Sequence, residues 1–220
     1  MKPQCIIFDV DDTLYLQRDY FRSGLRQVHR WLNEEEGIAG FGPRAWQRFE
    51  AHGPRNLIAR TLEEMGHRPD ENLLREITRV IRSHEPAIEL CDDARTCLER
   101  LYGDFILAIL TTGPIPEQHA KTEKLELDQW CTPVVYAGQG GGPAPHRRAL
   151  EEIERRSGLH GPGCLFVADH PEDFPIARHF QWQVARIRRP EALAAEIETP
   201  DEIPEFPDLE AFSIWLVREC

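Results

Sequence analysis

Residues 2–16 read KPQCIIFDVDDTLYL, an apolar run that ends in three closely spaced aspartates, Asp9, Asp11 and Asp12. The apolar and β-branched residues before Asp9 predict a short buried strand over residues 4–10. Like charges side by side repel, so one carboxylate among several is pushed toward protonation. This crowding has little structural use, but it suits a site that holds a divalent cation or keeps one carboxylate ionised beside a protonated one.

The order of elements after this strand indicates two parts. Apolar residues recur at helical spacing over residues 18–36, 43–65 and 69–84. Short apolar runs typical of strands then alternate with helical stretches, at residues 105–110, 133–137, 164–168 and 183–187. Such alternation is typical of a parallel sheet covered on both faces. We therefore predict a doubly wound, Rossmann-like α/β core over residues 1–14 and 90–220, with a small all-helical cap domain over residues 15–89.

Composition excludes several classes of partner. The formal net charge is −12 and 41% of the residues are hydrophobic, which suits a folded globular protein. A phosphate backbone calls for a basic face, so we expect no nucleic acid partner. We find no signal-peptide pattern and no apolar run of membrane-spanning length. We expect a cytoplasmic protein that does not bind membranes.

Polar side chains follow the predicted strands at the points where the strands end. In open parallel sheets, ligands bind at the carboxyl ends of the strands, so these side chains are expected to meet. The first strand ends in Asp9 and Asp11, the second in Thr111, Thr112 and Gly113, and the fourth in Asp169 and Asp173. Hard oxygen ligands in that number suit Mg²⁺.

At this point the sequence resembles a known family. The segment FDVDDTL, a hydrophobic strand that ends in Thr111, and the segment VADHPED follow one another in the order seen in haloacid dehalogenase-type hydrolases. A helical cap between the first two signatures also matches that family. The resemblance covers essentially the whole chain, and the Asp-x-Asp-x-Thr motif after an apolar strand is its most specific part.

The resemblance implies a role for each motif residue. Asp9 would be the nucleophile that forms an aspartyl-phosphate. Asp11 would protonate the leaving oxygen and then take a proton from the hydrolytic water, while its backbone carbonyl contacts the metal. The magnesium ligands that the resemblance implies are Asp9, Asp11, Asp169 and Asp173. The residues that it implies for the phosphoryl oxygens are Thr111, Thr112 and Gly113.

One departure from the family pattern concerns a lysine. Where the family commonly has Lys-Pro-x-Pro before the helix that follows the third strand, this chain has glycine, at Gly142. The missing lysine shields the charge on the nucleophile and the phosphate together. Arg147, Arg148 or Lys121 could replace it, although for each of these a solvated surface role is the simpler expectation.

These observations lead to a first hypothesis and two alternatives. The first is a Mg²⁺-dependent hydrolase of a small phosphorylated metabolite, because all four expected aspartates are present. The second is a catalytically weakened or inactive binding or regulatory protein on the same fold, because of Gly142. A dehalogenase is a minor third, since that chemistry dispenses with a metal. Nothing in residues 15–89 names the substrate.

Overall fold

The computed structural model describes residues 2–138 and 147–219. The chain divides into two compact units, one formed by residues up to Gln17 together with those from Ile88 onward, and one formed by Arg18–Ala87. Among the described residues, no helix combines the length and the apolar character that crossing a bilayer requires. Each unit has its own hydrophobic core.

The second unit is entirely helical in its regular structure. Its helices are α1 (Gln17–Glu35, which begins in the first unit), α2 (Phe41–His52), α3 (Leu57–Glu64) and α4 (Glu71–Ser83). Leu25, Val28 and Leu32 of α1 recur every three or four residues, so they share one face, and they pack in the same core as Phe41 and Phe49 of α2. The Asp70 carboxylate begins α4 by accepting a hydrogen bond from the Leu73 N–H at 2.8 Å.

The first unit contains one six-stranded sheet in which all neighbouring strands are parallel. Its strands are β1 (Cys5–Phe8), β2 (Ile106–Thr111), β3 (Val134–Tyr136), β4 (Cys164–Ala168), β5 (Gln183–Ile187) and β6 (Glu205–Phe206). Their order across the sheet is β3-β2-β1-β4-β5-β6. The sixth strand is not among the strands that the sequence predicted. It has two residues between two prolines, which is too short for a periodic pattern.

Helices cover both faces of this sheet. They are α5 (Asp92–Leu101), α6 (Ile115–Lys124), α7 (Arg147–Ser157), α8 (Phe174–His179) and α9 (Leu209–Glu219). Successive strand side chains point to opposite faces. Ile7 of β1 shares a core with Leu150 of α7, whereas Phe8, the next residue, contacts Phe212 of α9 edge-to-face with 6.4 Å between ring centroids. The doubly wound α/β prediction is therefore confirmed.

The order of strands places the end of β1 beside the end of β4. The chain winds outward from β1 to β2 and β3 on one side, and later from β4 to β5 and β6 on the other. The Asp9 N–H donates to the Val167 carbonyl at 2.9 Å, so the pairing of these strands continues up to the first aspartate. A crevice opens at the carboxyl ends of strands where the winding direction reverses, and Asp9 and Asp169 both lie at this point.

Candidate active site

A cavity of about 370 Å³ lies at the carboxyl end of the sheet. The carboxylates that line it are Asp9, Asp11, Asp12, Asp169 and Asp173. The structure thus brings together the four aspartates that the sequence predicted as a site, from two segments about 160 residues apart in the chain. Thr112 lines the same cavity.

Asp9 lies in an unfavourable environment for a negative charge. Burial raises its pKa well above the ordinary value, and the neighbouring charges of Asp169 and Asp173 raise the pKa further. The backbone N–H of Val10 opposes this rise by donating to the carboxylate, but it does not outweigh it. A positive charge close to Asp9 would favour its ionised form.

The pKa values of Asp169 and Asp173 are raised as well. Asp169 is 8% exposed, and burial together with the charges of Asp12 and Asp173 raises its pKa well above the ordinary value. Burial and the nearby Glu172 raise the pKa of Asp173 to about 7. The Asp173 Oδ1 atom is buried, and no described residue of the chain forms a hydrogen bond with it. A buried oxygen without a partner is costly unless a ligand binds it.

The donors at this place fit a hard divalent cation. Among residues 2–138 and 147–219, no group of three His, Cys, Asp or Glu side chains is arranged so that it could by itself hold a metal ion. Mg²⁺ does not need one, because it retains several waters and is commonly bound by one or two carboxylates. Asp9, Asp169 and Asp173, with the unpartnered Oδ1 of Asp173, are the residues that would hold it.

Asp11, by contrast, is surrounded by donors. Lys121 Nζ lies 2.9 Å from both Asp11 carboxylate oxygens, and Gln118 Nε2 donates to Oδ2 at 3.0 Å. The Tyr15 hydroxyl donates to Oδ1. These donors occupy both carboxylate oxygens of Asp11 and fix the orientation of its side chain.

Lys121 corrects one prediction. The expectation of a solvated surface role is wrong for this residue, because its side chain is only 1% exposed and pairs with Asp11 and Glu117. Burial lowers the pKa of Lys121, but the two carboxylates outweigh burial and the net shift is upward. A fixed positive charge therefore lies next to Asp11.

The other two candidates for the missing lysine lie elsewhere. Arg147 and Arg148 line a second cavity, together with Tyr136 and Glu152. The Arg147 guanidinium lies 2.7 Å from His179 Nε2. Gly142, in the position of the family's lysine, lies outside the described residues. Of the three candidates, Lys121 alone contacts a residue of the carboxylate cavity.

The segment after β2 differs in part from its prediction. The Thr111 hydroxyl is buried and donates to Gln118 Oε1 at 3.1 Å, whereas Thr112 lines the cavity. Gly113 has a φ of +150°, and a Cβ atom there would lie 2.6 Å from Gln118 Nε2. Glycine is needed here because it lets the Gln118 amide reach Asp11. Thr111 thus acts on the cavity through Gln118.

Asp12 orders the loop between β1 and α1. Its Oδ1 accepts from the Gln17 N–H and its Oδ2 from the Leu193 N–H, each at 2.8 Å. Asp12 has a positive φ of 56°, which an aspartate tolerates better than most residues. Its carboxylate thus fixes both the start of α1 and a distant irregular segment.

Sequence reasoning missed Gln118, Tyr15 and the apolar residues Leu193 and Ile197 of the cavity wall. A signal existed for Gln118, because it lies near the start of the helix that directly follows Thr111–Gly113, above the strand ends. Tyr15 lies four residues after Asp11, but no periodicity marks it. Leu193 and Ile197 lie in an irregular stretch where no pattern points to a site.

Comparisons with known proteins agree with this geometry. A family model described as haloacid dehalogenase-like hydrolase matches residues 3–181. No protein of curated function matches the chain significantly.

Solved structures of low sequence identity share the fold. A Bacillus subtilis protein described as a HAD-hydrolase bound to magnesium superposes with a TM-score of 0.68 at 19% identity, covering 98% of this chain and 99% of that one. An L-2-haloacid dehalogenase of Xanthobacter autotrophicus superposes with a TM-score of 0.62 at 22% identity, with 99% of each chain covered. A predicted phosphoglycolate phosphatase of Haemophilus somnus superposes with a TM-score of 0.67 at 15% identity, again with 99% of each chain covered.

Proposed function

Because the chain belongs to the haloacid dehalogenase-like hydrolases, we propose that it is a Mg²⁺-dependent phosphatase of a small phosphorylated metabolite. The observation that carries the proposal is the group formed by Asp9, Asp169 and Asp173. Their pKa values are raised chiefly by burial, and in Asp9 and Asp169 also by neighbouring aspartates. Three such carboxylates in one cavity are stabilised by a divalent cation, which would also let Asp9 approach a phosphate dianion.

The proposed reaction uses two aspartates in sequence. An Asp9 oxygen attacks phosphorus, the bond from phosphorus to the leaving oxygen breaks, and Asp11 gives that oxygen a proton. Water then attacks the aspartyl-phosphate, Asp11 takes a proton from the water, and the Asp9 carboxylate is released with inorganic phosphate. Mg²⁺, when bound, supplies the positive charge that compensates the phosphoryl oxygens and the carboxylates together.

Lys121 and Gln118 are positioning residues in this scheme. Both donate to the Asp11 carboxylate, and Lys121 adds a fixed positive charge beside it. The backbone N–H groups of Thr112 and Gly113 are the proposed donors to the phosphoryl oxygens. Thr111 contributes by holding Gln118.

Two observations favour a phosphatase over the alternatives. Three carboxylates, Asp9, Asp169 and Asp173, in one cavity suit a cation-dependent phosphatase, whereas a metal-independent dehalogenase needs no set of cation ligands. An inactive binding protein was suggested by the glycine at position 142, but Lys121 supplies a buried cation at Asp11 from another part of the chain. The loss of the usual lysine is therefore compatible with turnover.

The test is a panel of phosphate monoesters, assayed with Mg²⁺ and with a chelator, for the wild type and Asp9→Asn. We expect wild-type turnover that depends on Mg²⁺, and a loss of about 10³-fold or more in Asp9→Asn, because asparagine cannot act as the nucleophile. Asp104→Asn, at an exposed turn of the same unit, is the matched control and should keep the wild-type rate.

Each outcome decides between the candidate functions. Wild-type rates in Asp9→Asn would refute the nucleophile assignment. Background rates on every phosphate ester, with chloride released from 2-chloroalkanoates in the presence of chelator, would replace the phosphatase by a dehalogenase. Background rates in both assays would favour the binding protein.

A further inference from the structure

One wall of the carboxylate cavity is apolar. Leu193, Ala194 and Ile197, here called the apolar wall, line the same cavity as Asp9 and Asp169. Leu193 is 41% exposed and Ile197 is 39% exposed, although both are large aliphatic side chains. Their exposed surface therefore faces a site whose other side carries carboxylates.

The segment that carries the apolar wall is irregular but firmly held. Arg186 of β5, which is fully buried, donates to the Ala194 carbonyl at 2.7 Å and to the Ile197 carbonyl at 2.6 Å. Arg188 donates to the Ala195 carbonyl at 2.7 Å. Hydrogen bonds from charged donors are stronger than those between neutral groups, so these arginines replace the backbone partners that a helix or strand would give.

The same segment is tied to the loop of the nucleophile. The Leu193 N–H donates to Asp12 Oδ2 at 2.8 Å, and Arg189 Nη2 donates to the Thr13 carbonyl at 2.9 Å. Asp12 and Thr13 are three and four residues from Asp9 in the chain. The distance between the apolar wall and the nucleophile is therefore set by contacts within this unit.

A rigid apolar surface beside a phosphoryl site selects its ligand. Burying an apolar group of the ligand against this surface makes the free energy of binding more favourable. Because the surface is already ordered, it loses little conformational entropy on binding. The carboxylates of the cavity disfavour a further anionic group on the ligand. A leaving group that is apolar and uncharged satisfies both conditions.

We propose that the apolar wall binds the leaving group, and that the substrate is a phosphate monoester whose alcohol carries an apolar chain or ring. This inference rests on the proposed phosphatase function for the reaction at phosphorus. Leu193 and Ile197 are then the residues that set specificity, and they belong to the α/β unit rather than to the helical unit.

The test uses ethyl, butyl and hexyl phosphate, whose leaving groups have nearly the same chemistry and differ in apolar length. In the wild type, kcat/KM should rise about threefold for each methylene that the wall covers. In the double variant Leu193→Ala/Ile197→Ala the rise should fall below about 1.5-fold per methylene. The backbone bonds of both residues remain in this variant.

Two further variants separate packing from folding. Val217→Ala removes a side chain that is 54% exposed on α9, so it should leave the chain-length dependence unchanged. The variant Leu193→Met/Ile197→Leu keeps the apolar volume of the wall. It should therefore show the dependence on chain length that the double alanine variant loses. Equal dependence on chain length in the wild type and the double alanine variant would overturn the proposal.

A binding measurement makes the result independent of turnover. If the wild type hydrolyses none of the phosphate esters with Mg²⁺, the phosphatase proposal fails, and the wall is then tested by calorimetry with ethyl-, butyl- and hexylphosphonate. Affinity that rises with chain length in the wild type and not in the double variant would support the wall. Affinity without this dependence would refute it.

Discussion

Two groups of carboxylates line one cavity, and they differ in the hydrogen-bond donors that surround them. Asp11 and Asp12 accept hydrogen bonds from Lys121, Gln118 and backbone N–H groups. Asp9, Asp169 and Asp173 are the second group, and burial with mutual repulsion or the charge of Glu172 raises their pKa values. The first group is thus held by the chain's own donors, although burial still raises the pKa of Asp12 to about 6. We propose that an external cation stabilises the second group.

Among the substitutions that test this difference, Lys121→Met is expected to have the largest effect on stability and on kcat. Breaking a buried ion pair leaves an uncompensated charge, so we expect a loss of about 3 kcal/mol in the free energy of unfolding. Asp11 would also lose its fixed orientation, and kcat should fall at least tenfold. Chemical denaturation and initial rates measure the two effects.

Lys124→Met is the matched control, because Lys124 lies on the same helix and is exposed. It should change stability by no more than about 0.5 kcal/mol. If the two lysine variants behave alike, Lys121 does not stabilise Asp11 as the contacts indicate.

Asp173→Asn should have opposite effects without and with Mg²⁺. The pKa of Asp173 is raised from 3.8 to about 7, so its contribution to stability is full below about pH 4 and is lost as pH rises through about 7. That shift corresponds to at most about 4 kcal/mol. Without metal at pH 8, where the wild-type carboxylate is charged, we expect the neutral variant to be about 2 kcal/mol more stable, because the side chain is only partly buried.

With Mg²⁺ the order should reverse. A ligand at 100 times its dissociation constant stabilises the folded state by about 2.7 kcal/mol, and the variant should lose most of this gain. Melting temperatures with and without Mg²⁺ at pH 5 and pH 8 measure both effects. Asp104→Asn should follow the wild type, and a variant that gains as much from Mg²⁺ as the wild type would exclude Asp173 as a ligand.

Gly113→Ala is expected to give the smallest of these effects. An alanine Cβ would displace the Gln118 amide, which lies 2.6 Å from that position, and weaken its bond to Asp11. We expect a loss of about 1–2 kcal/mol in stability and about tenfold in kcat.

Gly158→Ala separates backbone strain from the clash. Gly158 also has a positive φ, of +74°, but no atom lies within 4 Å of its Cβ position. The control should lose about 1 kcal/mol in stability and keep its kcat. Equal loss of kcat in both variants would mean that Gly113 has no specific contact with Gln118.

The fold and one half of the site were predictable, because both follow from chain order. Strands that alternate with helices dictate a parallel sheet, and in such a sheet residues after β1 and β4 meet. Asp9 and Asp169 could therefore be placed together without coordinates. The strand Glu205–Phe206 could not be predicted, because two residues carry no periodicity.

The donors around Asp11 and the apolar wall could not be predicted in the same way. A lysine on a helix is normally solvated, and only the position of α6 above the end of β1 buries Lys121 against Asp11. Arg186 holds the segment of the apolar wall by donating to the Ala194 and Ile197 carbonyls, and these bonds leave no trace in the sequence pattern.

Calorimetric titration of Mg²⁺ into the metal-free protein tests the central claim most directly. At pH 7, in buffers of different ionisation enthalpy, the account predicts binding at one site with release of protons, because cation binding lowers the raised pKa values of Asp9, Asp169 and Asp173. Asp169→Asn should weaken the binding at least tenfold. Binding without proton release, or equal affinity in Asp169→Asn, would contradict the claim that these carboxylates hold the cation.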